Sequence, residues 1–301
     1  MKAPHLLFLA LSLSLVSCKS AAQRTQEIQV AHLTSGEGFP QLRDAFATAN
    51  PGYEVSWHPN CQSLPSVDRS RVLFVQGPAD RRNEPTVGDI LLLDAGESWQ
   101  VPGGLGIDLL CFEVPLHLPA QLPRSIRPDW DPKVTDTPGG CAEESGAYRR
   151  ILLTWLESKG PYVLHALNAH RVRINDSFSH YHPLDGGFDE FYLVQMAGPD
   201  AQLLTSTRVP AIEQHSVSAQ QAGSLIQTRK LQVGDLVYLP RGTMHRGLGG
   251  PLVQVISVPG FVPNSEIGLD HHLRAINEQL GLGPDRALPF HRSASEEAVV
   301  K

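Results

Sequence analysis

Two histidines separated by one residue, His180 and His182, stand in the stretch Ser179 to Pro183. A third, His245, closes Gly-Asp-Leu-Val-Tyr-Leu-Pro-Arg-Gly-Thr-Met-His, running from Gly234. Between the two motifs lies Asp189-Glu190. In an extended strand side chains two apart point the same way, so His180 and His182 share one face and Tyr181 takes the other. Three imidazoles and a carboxylate form a ligand set for one divalent transition metal, Fe, Mn, Ni, Cu or Zn, and geometry decides between them. Such a set leaves coordination positions open for water, dioxygen or substrate, which Lewis-acid or oxygen-activating chemistry requires. One histidine alone would read as ordinary surface polarity; three in two spaced motifs read as a site.

Other chemistries find less support. There is no phosphate loop, GxGxxG fingerprint or Ser-His-Asp order. Lys plus Arg is 25 against 31 Asp plus Glu, a net charge of −6, which is not the basic footprint of a nucleic-acid binder. His271-His272 is a tempting pair, but adjacent residues of a helix diverge by about 100°, so the two read as solvated rather than chelating. Tyr192, Tyr238 and Arg241 are pocket candidates by position, each equally readable as strand packing or surface.

The chain that must position these groups has 301 residues, 41% of them hydrophobic, with 26 Gly and 24 Pro, a composition that favours short strands and many turns. Residues 1–17 are set aside as a signal peptide. Lys2 precedes an apolar run from Leu6 to Val16, too short to span a bilayer. Leu15-Val16-Ser17-Cys18 resembles the lipobox of bacterial lipoproteins, which implies lipidation at Cys18 and, with Lys19 following, an anchor in the outer membrane. Ordinary cleavage after Ala22 is the competing reading, and in both the protein is exported. Residues 18–26 form a polar tether. Cys61, Cys111 and Cys141 remain, an odd number that allows one disulfide and one free thiol without saying which pair.

The spacing predicts a helix over Gln41 to Ala49, stopped by Asn50-Pro51-Gly52. Strands are expected at Tyr53 to Trp57, Arg71 to Gln76, Asp89 to Leu93 and Ile107 to Val114. The proline-broken stretch Pro123 to Gly140 reads as a connection, and Ile151, Leu152, Trp155 and Leu156 predict a helix within Tyr148 to Ser158. A second train of strands follows, clearest at His170 to Ile174, Glu190 to Met196, Leu236 to Leu239 and Leu252 to Val258. Leu269 to Leu280 reads as a helix, and the last dozen residues as a frayed tail.

With these residues in place, roughly residues 165 to 260 resemble the cupin superfamily of small jelly-roll β-barrels. Gly234, Pro240, Gly242 and His245 match its second motif, with Gly249 where the family has Asn. His180-Tyr-His182 matches the first, although seven residues separate His182 from Glu190, more than in the family, and Asp185 and Asp189 compete as carboxylates. The resemblance makes His180, His182, Glu190 and His245 the metal ligands.

It also makes an internal repeat readable. Gly88 to Trp99 matches Gly234 to His245 in spacing, with Asp94 for Pro240 and Trp99 for His245. Val55-Ser56-Trp57-His58-Pro59 can be laid over Ser179 to Pro183, and the run ending at Gly77 over that ending at Gly198. On this overlay the first repeat keeps only His58 of four ligands, and Trp99 plugs its former pocket.

The expected fold is therefore all-β: two cupin-type jelly-roll β-barrels in tandem, with short flanking helices. The division is a degenerate domain over 27–122, a linker and helix over 123–160, a metal-binding domain over 161–262, and a helix and tail over 263–301. The expected function is an exported, lipid-anchored bicupin on the periplasmic side, acting on a small molecule through one divalent metal, with dioxygenase-type oxidation as the reaction. The competing readings are a sugar-like binding or sensory lipoprotein without turnover, a cupin isomerase or epimerase, and a structural envelope protein. Cupins commonly pair as homodimers through strand edges, which nothing in this sequence specifies.

Overall fold

The computed structural model describes residues 27–77, 85–101, 104, 106–139 and 148–301. The signal segment 1–17, Cys18, the tether and Cys141 lie outside the described residues. Among the described residues no helix is long and apolar enough to cross a membrane.

The chain is all-β and builds two double-sheet units in tandem. In chain order the first strands are β1 (Gln29–His32), β2 (Glu54–Cys61), β3 (Ser63–Leu64), β4 (Ser70–Gly77), β5 (Ile90–Leu93), β6 (Trp99–Gln100), β7 (Ile107–Val114) and β8 (Ser125–Ile126), with helix α1 (Phe39–Ala49) after β1. A five-stranded sheet in the order β2-β7-β4-β5-β8 faces the small β3-β6 sheet. The second unit comprises β9 (Arg149–Leu153), β10 (Asn168–Arg173), β11 (His180–Tyr181), β12 (Asp189–Met196), β13 (Gln202–Ser206), β14 (Gln227–Lys230), β15 (Asp235–Leu239), β16 (Met244–Leu248), β17 (Leu252–Val258) and β18 (Ile267–Gly268). A six-stranded sheet, β1-β15-β12-β17-β10-β9, faces a five-stranded one, β14-β13-β16-β11-β18.

Period-two alternation decides which side each residue serves. In the six-stranded sheet Phe191, Leu193, Leu236, Tyr238 and Ile256 turn toward the first unit and join Val72, Phe74, Leu110 and Phe112 in one shared core. Tyr192, Val194, Val237, Leu239, Val253 and Val255 turn the other way and fill the second sandwich. Leu73, Val75, Leu109 and Cys111 do the same for the first. The two sandwiches thus stand back to back. Phe46 of α1 is wedged in the seam, its ring 5.0 Å from Phe191, 5.8 Å from Phe112 and 5.8 Å from Tyr238, all edge-on. The short helices α2 (Val209–Glu213) and α3 (Ala219–Ala222), with α4 (Asp270–Leu280), cover the far side of the outer sheet through Ile212, Leu273 and Ile276.

Several expectations change. Gln29–His32, assigned to the first unit, pairs along its length with β15 of the second. Within the expected linker, Ser125–Ile126 adds an edge to the first unit's sheet. The helix expected in Tyr148 to Ser158 is strand β9 followed by turns. So short an apolar run fits either period. The open edge of β10 decides it, because β9 satisfies that edge's backbone groups. The tail does not fray: Ser293–Ser295 makes a turn of 3-10 helix, and Lys301 exchanges two backbone hydrogen bonds with Glu266, at 2.9 and 3.0 Å. Cys61 and Cys111 are both buried free thiols.

Candidate metal centre

His180, His182 and His245 meet inside the second sandwich, with one nitrogen of each within 4.8 Å of the others. Their elements explain the meeting. His180 on β11 lies directly opposite His245 on β16. Gly242, at a φ of 80° that favours glycine, donates its N–H to the His182 carbonyl at 2.7 Å, tying the loop after β15 to the end of β11. Asp270 at the start of α4 accepts from the Ser179 N–H at 2.7 Å and holds the approach to His180.

Each imidazole is oriented by its own backbone acceptor. Nδ1 of His180 faces the Phe178 carbonyl at 3.1 Å, that of His182 the Phe188 carbonyl at 3.1 Å, and that of His245 the Thr243 carbonyl at 3.3 Å. A neutral imidazole has one N–H, so this donation leaves Nε2 as a lone pair aimed at the centre. Burial drives the point home: it pushes the His180 and His245 imidazoles down to about 4 and that of His182 well below its ordinary value. The rings are held in place by Phe178 stacked on His180 at 4.4 Å and Phe188 on His182 at 3.8 Å.

Glu190 on β12 completes the cluster. Its carboxylate lies 3.7 Å from His182 Nε2 and 3.4 Å from His245 Nε2, and both of those nitrogens are buried without a hydrogen-bond partner. Burial raises the Glu190 carboxyl from 4.5 to about 7, against smaller opposing effects of His180 and the neighbouring Tyr192 hydroxyl. Buried polar atoms left unpaired call for an explanation, and a divalent cation supplies one. Neutral imidazoles with inward lone pairs beside a carboxylate are the donor set such an ion takes, so the residues present fit it.

The long gap before Glu190 is absorbed locally. Gly186 has a φ of 74°, and a side chain on Gly187 would collide with the Pro183 carbonyl, so Leu184 to Gly187 fold back as a tight turn and return Phe188 to the His182 ring. Asp185 is exposed on that turn. Asp189 faces the opposite side from Glu190 and accepts from the Asn50 amide (2.6 Å), the Tyr238 hydroxyl (2.7 Å) and Arg241 Nε (2.8 Å). Of the three pocket candidates, only Tyr192 is therefore at the site, two residues from Glu190 on the same face. Tyr238 and Arg241 belong to the clamp on Asp189, which joins α1 to the second sandwich. Strand parity separates them: Glu190 pairs with Leu239, so Leu239 and Val237 face inward and Tyr238 outward.

A cavity of about 410 Å³ opens onto His180 and Glu190. Its lining includes Arg149, Trp155, His170, Phe261 and Glu266, none of which the spacing of the sequence marks out. Only the alternation of His170 with Ala169 on β10 could have placed one of them inside. His271 and His272 sit at the start of α4, where His272 Nδ1 meets His215 Nε2 at 2.9 Å instead of sharing a ligand with its neighbour.

The repeat is present: Gly88 to Trp99 matches Gly234 to His245 as the spacing has it, while the overlay of the first halves is out of register. Gly88 and Gly234 share positive φ (101° and 89°), as do Gly96 and Gly242 (82° and 80°). The Asp after the first glycine of each accepts from a backbone N–H three residues back, Thr86 at 3.0 Å and Gln232 at 2.9 Å. Leu93 pairs with Arg71 as Leu239 pairs with Glu190, and Trp99 pairs with Leu64 as His245 pairs with His180. Gly96 donates to the Val67 carbonyl as Gly242 donates to that of His182. Leu64, Val67, Arg71 and Trp99 thus occupy the four ligand positions of the first unit. His58, expected as the retained ligand, lies on β2 opposite Leu109, and β2 is the counterpart of β10 rather than β11. The overlay matched Trp-His-Pro to Tyr-His-Pro by residue type, whereas hydrogen-bond pairing sets the true register. An arginine in place of a carboxylate repels a cation, and Trp99 packs, partly buried, against this unit's core.

No family model matches the chain, and no curated protein matches it. Among solved structures it is similar to the oxalate decarboxylase of Lactobacillus farciminis in its formate complex, at 15% identity over 81% of this chain and 88% of that one, TM-score 0.45. It is similar to the Bacillus subtilis oxalate decarboxylase at pH 4.6, at 12% identity over 84% of each chain, TM-score 0.43. A third is AerE from Microcystis aeruginosa, at 11% identity over 68% of this chain and 85% of that one, TM-score 0.41.

Proposed function

We propose that this chain is an exported, lipid-anchored cupin-type protein whose second sandwich binds one divalent transition metal through His180, His182, Glu190 and His245 and oxidises a small molecule with dioxygen. The observation that carries the reading is the common orientation of the three imidazoles. Each donates Nδ1–H to a backbone carbonyl, and two present buried, unpartnered Nε2 atoms to one carboxylate. An accidental histidine cluster has no reason to commit every ring to the same tautomer.

A divalent metal bound there supplies Lewis acidity and, if redox-active, one-electron chemistry. The protein's own residues do the rest. Neutral imidazoles bind without first losing a proton. The Tyr192 hydroxyl stands beside Glu190 on the same face of β12. Phe178 and Phe188 fix two of the rings, and the surrounding strands keep the ligands at most 4% exposed, leaving the cavity beside β9 as the approach for substrate.

Elemental analysis of purified protein after gentle resupply tests the site, and a near-stoichiometric metal is expected. Dioxygen uptake, screened with phenolic and diketone compounds, tests the reaction. Metal without any uptake would favour a binding or sensory role; no metal would remove the enzyme reading altogether.

A further inference from the structure

The cavity beside His180 and Glu190 carries a pattern that holding a metal does not require. At about 410 Å³ it lies toward the lower end of the roughly 300–1,000 Å³ typical of ligand pockets. One wall is flat and apolar, made by Trp155 and Phe261 stacked 4.2 Å apart at 28° and continued by Leu156 and Pro263. The same cavity is lined by three cationic side chains, Arg149, Lys159 and Lys301. They come from three separate segments: strand β9, the turns after it, and the tail that pairs with Glu266. Among the described lining residues, Glu190 and Glu266 are the two that carry side-chain carboxylates. In a chain of net charge −6, bringing three cations to one cavity is a local excess that composition does not explain. A local excess of one sign of charge raises the local concentration of the opposite ion, and flat aromatic walls take flat apolar groups.

We propose that this cavity selects a small organic acid, its acidic head among Arg149, Lys159 and Lys301 and its flat apolar body against Trp155 and Phe261. This deepens the metal-site reading by naming the substrate class, and it rests on that reading only for what becomes of the acid once bound.

The test titrates benzoate and its uncharged isostere benzamide into the full chain by calorimetry, metal-free and after loading with Mn(II), with occupancy measured separately. The metal-free arm isolates the cavity from direct ligation of the carboxylate. Benzoate is expected to bind about tenfold tighter than benzamide at low ionic strength, with the preference shrinking as salt is added. Lys159→Gln alters an exposed side chain and so leaves folding intact; it and Arg149→Gln should each weaken benzoate severalfold while sparing benzamide. Trp155→Ala should weaken both compounds. Equal affinity for acid and amide, or a preference untouched by both cation variants, overturns the proposal. Stoichiometric metal without acid preference defeats this inference and leaves the metal reading standing. Acid preference without metal does the reverse.

Discussion

Replacing Glu190 by Gln should make the metal-free protein more stable at alkaline pH while crippling its hold on metal. Glu190 is 4% exposed, and burial raises its carboxyl from 4.5 to about 7. A raised acid works against the fold when ionised. Below pH 4.5 the group is protonated both folded and unfolded, so nothing is lost. Between 4.5 and 7 the unfolded chain releases the proton and the folded one keeps it, and stability declines as pH rises. Above 7 the full cost is in place, about 3 kcal/mol at 1.36 kcal/mol per pH unit. Glutamine keeps the shape but never ionises. Urea unfolding of chelator-treated protein should therefore find Glu190→Gln more stable than wild type by about 3 kcal/mol at pH 8 and by less than about 1 kcal/mol at pH 5. Metal reverses the order, since a ligand at about a thousand times its Kd adds about 4 kcal/mol to the form that binds it. Equal metal-free stabilities at pH 8, or a gap that does not change with pH, would refute the claim that this carboxylate is held uncompensated to receive a cation.

Three further outcomes follow from the geometry. His182→Ala and His245→Ala should each abolish near-stoichiometric metal in elemental analysis, while His58→Ala and Trp99→Phe retain it; metal loss in the His58 variant would overturn the register assigned to the first unit. Asp189→Ala strands Tyr238, Asn50 and Arg241 and should cost about 2–4 kcal/mol in chemical unfolding with metal stoichiometry unchanged. Finally, palmitate labelling of the expressed protein should vanish in Cys18→Ala, and labelling that persists would sink the lipid anchor.

What was legible in the sequence is what obeys a linear spacing. His180, His182 and His245 declare themselves because two short strands and a turn of fixed glycine geometry carry all three. Glu190 was recoverable against Asp189 by parity, since adjacent strand residues face opposite ways, but the fold-back at Gly186-Gly187 that brings it into place leaves no periodic trace. Tyr238 and Arg241 misled because they stand within the right motif on the wrong face. Arg149, Trp155, Phe261 and Glu266 were invisible for a different reason. They come from an edge strand and two loops, and only tertiary pairing makes them neighbours. The helix expected at Tyr148 to Ser158 failed on the same ground: its apolar residues suit two periods, and the unsatisfied edge of β10 chooses between them.

The two faces of the first unit's larger sheet serve different ends. The unit's four ligand positions hold Leu64, Val67, Arg71 and Trp99, and Arg71 Nη2 donates to the Glu97 carbonyl at 2.6 Å where a carboxylate would face a metal. A buried cation and a partly buried indole thus stand in that interior. The opposite face of the same sheet is apolar. Val72, Phe74, Leu110 and Phe112 cover Phe191, Leu193, Tyr238 and Ile256 on the back of the sheet whose strand β12 carries Glu190 and Tyr192. Uncovering that face would expose apolar surface at about 25 cal/mol per Å² and loosen β12, which positions the carboxylate. Gln29–His32 crossing into the second sheet, and the clamp from Asn50 to Asp189, bind the two units through the same seam. The first sandwich supplies the apolar surface that holds β12, and with it Glu190, in place.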